Sequence, residues 1–417
     1  MTPLPPWETV GLPASEGKTF FRGMPDDKLG PGNRFQLNVK LATGKNSSIW
    51  LTKDIEHGRH VLLKILSGRA SDSAAEGSLR HELPTYQRLA SLSAEETRHC
   101  SRLITHFKHR SPDGEHLCLA LELERTNIES VLSAKDPAFY PIPIVKRILR
   151  HVLHAIAALH KLEFAHTDIK PDNILVSLAP TWSDAKVSEW VSDHPPRLNV
   201  SEDFYKSLEN FDTRASLAFI SEEFPRPTVE ELGTCHFKIG GFSKAQDLYR
   251  RTTDDIAPLA LRPPEVILGY GWGAPVDIWM FGCLVFTMLT KAQLFPDTVP
   301  HDITHWYLQP GADPKAKGFE VDYLLFRMAN IMEQGFRRDM LAQSCYSDKY
   351  FKPNSTEMKC FISLRGLSIE KRIRETERPM SWEDVTAAAD FMRRCLKFNP
   401  HDRPSARDLL DDPWLKE

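Results

Sequence analysis

Nothing in this 417-residue sequence encodes a disulfide framework or a zinc site: its seven cysteines (Cys100, Cys118, Cys235, Cys283, Cys345, Cys360 and Cys395) are scattered, odd in number and never spaced C-x-x-C. That usage suits a reducing compartment. A dominant charge of one sign is also missing. Lys and Arg number 53 against 56 Asp and Glu, a formal net charge of −3, so electrostatics offer no reason to expect nucleic acid or an anionic membrane as partner. Long apolar runs are lacking too. The most apolar stretch, 276-VDIWMFGCLVFTML-289, carries Asp277 and is too short to span a bilayer. The opening 1-MTPLPPWETVGLPASEGKTF-20 has no apolar core of signal-peptide length. These absences lead to an expected location in the cytoplasm, the nucleus or both.

What is present is the composition of a globular protein. Hydrophobic residues at 41% and charged residues at 26% predict a sizeable core, and the length suits one large two-lobed unit. Residues 1–34, rich in Pro and Gly, read as an N-terminal extension. From Phe35 the text is strand-like: 35-FQLNVKLA-42, 48-SIWLTKDIE-56 and 60-HVLLKIL-66, then 102-RLITHFKHR-110 and 116-HLCLALELE-124 joined through the turn-forming 111-SPDGE-115. Between these groups 76-EGSLRHELPTYQRLASL-92 is helix-like, with Pro84 expected in a first turn or at a kink. The period then changes. In 145-VKRILRHVLHAIAALHKL-162, Val145, Ile148, Leu149, Val152, Leu153, Ile156 and Leu159 fall on one face of a long helix. Ser381 with Asp384, and Ser405 with Asp408, form capping signatures in a helical C-terminal third. The economical architecture is α+β: a small β-rich N-terminal lobe over about 35–124 and a larger helical C-terminal lobe over about 125–415.

The chemistry concentrates in 164-FAHTDIKPDNILV-176. Phosphoryl transfer to a hydroxyl asks the protein for a carboxylate that orients the nucleophile, a cation near the transferred group and an oxygen ligand for Mg²⁺. Asp168, Lys170 and Asn173 supply these three, in a loop between a long helix and an apolar strand. A polar loop whose Asp and Asn only make local turns is the plainer alternative.

The segment resembles the protein-kinase catalytic loop, and Lys170 gives it the serine/threonine-type form. Other motifs agree in order. Lys64 in 61-VLLK-64 resembles the strand lysine that reaches nucleotide phosphates, and Glu82 is its expected partner. The 262-RPPE-265 run resembles the kinase A-P-E, with Glu265 expected to pair with Arg403, and 277-DIWMFG-282 resembles the buried helix beneath the catalytic loop. The resemblance covers about 35–415 and implies a bilobal kinase-like fold that uses ATP and Mg²⁺. It further implies ATP contacts from Leu41, Gly44, Ile49, Lys64, Glu82, Glu122 and Leu123, and a monomeric state.

A narrower resemblance is to the fungal kinases related to the SR-protein kinases. It rests on HTDIKPDNIL, 254-DDIAPLALRPPEVILGYGWGAPVDIW-279, 410-LDDPWL-415 and the long interval between Asn173 and Gly241, read as a spacer insert over about 177–233. It implies a protein substrate or partner, with Arg/Ser-rich chains among the expected ones. Acidic residues in 297-DTVPHD-302 and 319-FEVDY-323 are the docking candidates. Thr167 stands where many kinases place an Arg before the catalytic Asp, which implies activity independent of activation-loop phosphorylation.

The pattern breaks at the metal-binding D-F-G triplet. In 239-IGGFSKA-245, Phe242 is in place, but Gly241 stands for the Asp and Ser243 for the Gly, leaving Asn173 as the expected metal ligand and Asp247 as the nearest other carboxylate. The glycine loop 41-LATGKNSSI-49 keeps only Gly44, between Ala42 and Ser47. Two readings follow from different classes: an ATP-dependent serine/threonine kinase, or a catalytically impaired pseudokinase that acts as a binding or regulatory module.

Overall fold

The computed structural model describes residues 20–76, 82–197, 219–299, 308–362 and 368–416. They fall into two compact units. One is formed by the described residues of Met1–Ser91, Cys100–Asn127 and Leu175–Ser243, the other by those of Leu92–His99, Ile128–Ile174 and Lys244–Glu417.

The first unit is built on an antiparallel sheet whose strands, among the described residues, are β1 (Lys28–Leu29), β2 (Phe35–Thr43), β3 (Ser47–Asp54), β4 (Arg59–Leu66), β5 (Leu103–Ser111) and β6 (Gly114–Leu121), in the order β1-β2-β3-β4-β6-β5. Alternation of apolar and polar residues gives the sheet a buried face. Leu37, Trp50, Val61, Leu63, Ile65, Cys118 and Ala120 pack there with Phe35 and Phe107. The β5–β6 hairpin closes at Ser111 and Gly114, across the turn expected from Pro112-Asp113. In the helix Glu82–Leu89, Pro84 lies in the first turn, where its missing N–H has no intrahelical partner to lose; part of the expected helix, 77–81, lies outside the described residues.

The expected insert contributes to this unit. Ser183 caps the helix Asp184–Asp193 by accepting from Lys186 N. The Asp184 carboxylate ties that helix to the sheet, accepting from His60 N at 2.6 Å and Lys53 Nζ at 2.7 Å, with His60 Nδ1 at 2.7 Å. Val187 and Trp190 join Val39, Leu51 and Phe224 in a second apolar cluster. The acidic stretch 202–212 lies outside the described residues.

The second unit is helical. The long helix expected from the apolar period runs Ile142–Lys161, and every residue of the expected face is buried. Pro275–Thr290 is buried nearly throughout, and Asp277 on it is fully buried. Glu265 and Arg403 form the expected ion pair through two 2.6 Å bonds with both side chains fully buried. Ser381 and Ser405 cap the helices Trp382–Cys395 and Ala406–Leu410 as their spacing predicts. Among the described residues, no helix is long and apolar enough to cross a membrane.

Candidate active site

In the β-rich unit, Lys64 sits on β4 with Ile49 of β3 directly across from it. Cross-strand partners share a sheet face, so the ammonium stem and an apolar side chain stand side by side. Lys64 Nζ donates to both oxygens of Glu82, at 2.7 and 2.8 Å. Glu82 is 2% exposed, so this is a partly buried, bidentate pair rather than a solvated one. Gly44 closes the β2–β3 hairpin by donating its N–H to Ser47 O at 2.8 Å, which commits that N–H within the turn. Leu41 and Leu123 are half-buried and pack on the cluster that holds Trp190 and Phe224.

Glu122 and Glu124 both accept from Lys238 Nζ at 2.9 Å, and Glu122 also lies 3.3 Å from Arg102. Burial pushes the Glu124 carboxyl up to about 7. Burial lowers Lys238, but the Glu124 and Glu122 carboxylates outweigh it and raise the ammonium. This triad was not read from the sequence; a Lys one residue before an apolar strand residue carries no signal by itself.

The Lys238 strand leads into the departed triplet. A Cβ on Gly240 would come within 2.8 Å of Leu175 Cδ1, so a side chain there would require the end of Leu175 to shift. Gly241 follows at φ 73. Phe242 is fully buried and meets Tyr86 of the Glu82–Leu89 helix edge-on, with ring centroids 5.0 Å apart. The apolar anchor of the triplet is therefore seated while its carboxylate is missing.

In the helical unit, Asp277 organises the catalytic-type loop. Its oxygens accept from His166 N at 2.7 Å and Thr167 N at 2.8 Å, with His160 Nε2 at 3.0 Å. Asp168 N donates to His166 Nδ1 at 3.2 Å. Asp168 is buried, and Asn173 Nδ2 donates to its carbonyl at 2.8 Å and to Oδ2 at 3.2 Å. Lys170 Nζ lies 3.7 Å from the same Oδ2. Asp168 Oδ1 is buried with no hydrogen-bond partner among the described residues. The structure thus brings Asp168, Lys170 and Asn173 together. Nearby, burial and the Asp172 charge raise the Glu129 carboxyl.

The protein kinase domain pattern matches residues 35–190 and 230–415. The chain belongs to the protein kinase family. A serine/threonine-protein kinase SRPK of Physarum polycephalum is 26% identical over 92% of this chain and 86% of its own. A serine/threonine protein kinase of Aspergillus fumigatus is 26% identical over 92% of this chain and 84% of its own. Protein kinase dsk1 of Schizosaccharomyces pombe is 24% identical over 92% and 81%. The likeness to SRPK-type serine/threonine kinases thus spans most of this kinase domain.

Protein kinases use ATP and Mg²⁺. An ammonium held by a buried carboxylate, as Lys64 is, suits a phosphate. The donor set for Mg²⁺ is different. Mg²⁺ takes oxygen ligands in near-octahedral geometry; Asn173 turns its amide nitrogen to Asp168 and so offers its Oδ1, yet position 241 has no side-chain oxygen to join it. A second ammonium, Lys244 Nζ, lies 3.4 Å from Asp168 Oδ2, opposite in effect to a metal ligand. Asp247 is in extended backbone opposite Phe164, and its Oδ1 accepts from Tyr249 N at 2.9 Å, an ordinary turn contact. These residues do not fit Mg²⁺ held in the usual kinase manner. Lys244 was missed in the sequence reading; a cation three residues after the lost carboxylate was the available signal.

Proposed function

We propose that this chain is an ATP-dependent protein serine/threonine kinase of SRPK-like type. The observation that carries the reading is Asp168: a buried carboxylate fixed by Asn173, flanked by Lys170, with Oδ1 uncommitted. In this reading Oδ1 accepts the proton of a substrate Ser or Thr hydroxyl. The hydroxyl oxygen forms a bond to the γ-phosphorus, the bond from that phosphorus to the bridging oxygen breaks, and ADP leaves with the electron pair. Lys64, oriented by Glu82, pairs with the nucleotide phosphates, Ile49, Leu41, Glu122 and Leu123 border the nucleotide, and Lys170 accompanies the transferred group. Glu129 and Asp172 put acidic groups beside the loop, which suits a basic, Arg/Ser-rich protein substrate. Of the expected docking residues, Glu320 is exposed and burial raises the Asp322 carboxyl; residues 300–302 lie outside the described residues.

The test is transfer of radiolabelled phosphate from ATP to an Arg/Ser-rich peptide. Wild type should label the peptide, and Asp168→Asn should lower the rate by roughly 10²- to 10⁴-fold, the range of a lost general base. One observation favours a second reading. Gly241 removes a carboxylate, and a primary electrostatic element is worth roughly 10²- to 10³-fold. Nucleotide binding without any Asp168-dependent transfer would make the chain a pseudokinase that serves as a binding module.

A further inference from the structure

Lys244 follows the departed triplet and reaches the candidate base. Its ammonium lies 3.4 Å from Asp168 Oδ2, on the same oxygen that Lys170 approaches to 3.7 Å. The contact is not left to a loose side chain alone. Thr167 Oγ1 donates to the Lys244 carbonyl at 2.6 Å, and Thr167 N is itself held by Asp277 at 2.8 Å. A hydrogen-bonded chain thus runs from the buried Asp277 through Thr167 to the Lys244 backbone. Lys170 also lies 3.9 Å from Asp172, so Lys244 is a second ammonium on the Asp168 carboxylate, where a second carboxylate would help to collect a divalent cation.

We propose that the Lys244 ammonium supplies, beside Asp168, the positive charge that a divalent cation supplies in other kinases, so that this chain binds the triphosphate of ATP without a metal. The inference rests on the kinase reading for the placement of the phosphates. A γ-phosphoryl group presented to a hydroxyl on Asp168 comes within reach of an ammonium on the same carboxylate. Lys244 thus adds, beside Asp168, a positive charge that attracts an unmetallated phosphate.

The experiment is ATP titration of the full chain, by calorimetry, in excess EDTA and in excess Mg²⁺, for wild type, Lys244→Met and Lys244→Arg. Lys244 is 52% exposed on its side chain, and circular dichroism melting checks that each variant is folded. Wild type should bind ATP in EDTA within about threefold of its affinity in Mg²⁺. Lys244→Met should lose about tenfold in EDTA, and Lys244→Arg should retain the metal-free affinity. Binding only in Mg²⁺, or metal-free binding that Lys244→Met leaves unchanged, would overturn the proposal. Peptide phosphorylation in the same two buffers separates it from the kinase reading. Transfer confined to Mg²⁺ sinks the metal-free site and keeps the kinase. Lys244-dependent, metal-free ATP binding with no transfer keeps the site and sinks the kinase. No nucleotide binding in either buffer removes both.

Discussion

Thr167 Oγ1 donates a 2.6 Å hydrogen bond to the carbonyl of Lys244. Thr167 makes this bond from φ 62, a left-handed conformation that a β-branched residue adopts at a cost. The bonds to Lys244 and to Asp277 offset that strain. The residue that replaces the Arg of many kinases is therefore a positioning residue for the distant segment that carries Lys244. Thr167→Val keeps the shape and removes the donor. It should lower stability by about 1 kcal/mol and weaken metal-free ATP binding, while Thr167→Ser restores both. Denaturant unfolding and ATP titration check the pair; a Val variant equal to wild type in both would show that the bond holds nothing in place.

The Lys64–Glu82 pair gives a second prediction. Lys64→Met leaves Glu82 buried without its partner, which should cost about 3 kcal/mol of stability as well as at least about tenfold in ATP affinity. Glu82→Gln keeps the packing and should lose affinity with a smaller stability change. Thermal unfolding and ATP titration distinguish the two. A Lys64→Met protein with wild-type affinity would remove Lys64 from the nucleotide site.

The sequence makes some of this legible and hides the rest for physical reasons. The Asp168 loop, the Lys64–Glu82 pair and the Glu265–Arg403 pair can be read because each residue type sits in a fixed order on strand, helix and loop. The face of Ile142–Lys161 is legible because helical period and burial coincide. The Lys238 triad and the Lys244 contact are not, because they join residues from separated segments whose spacing carries no period. The role of Thr167 is hidden as well. Its substitution reads as a missing charge, whereas the structure reveals a hydroxyl and a left-handed backbone that no spacing encodes.

Glu124 makes a pH prediction. Burial raises its carboxyl to about 7 in the folded protein, against an ordinary value of 4.5. Between those values the folded chain holds a proton that the unfolded chain has released. Its contribution to stability is therefore full below about 4.5 and is lost as pH rises through about 7. The melting temperature of wild type should fall across this window relative to Glu124→Gln, which has no proton to lose. Parallel melting curves for the two proteins from pH 5 to pH 7.5 would contradict the burial argument.

The direct test of the central proposal, that a glycine at 241 leaves this protein-kinase-family chain without Mg²⁺-dependent ATP binding, is a measurement of that binding in Gly241→Asp. The backbone at φ 73 lies in the left-handed region, which Asp tolerates better than most residues with a Cβ. Thermal-shift titration with ATP, with and without Mg²⁺, in wild type and variant reads the coupling. Wild type should gain little from Mg²⁺, and Gly241→Asp should gain at least about tenfold, or ~1.4 kcal/mol. Wild-type binding already strengthened by Mg²⁺ to that extent, and left unchanged by Gly241→Asp, would contradict the claim and return the metal to a carboxylate elsewhere in the chain.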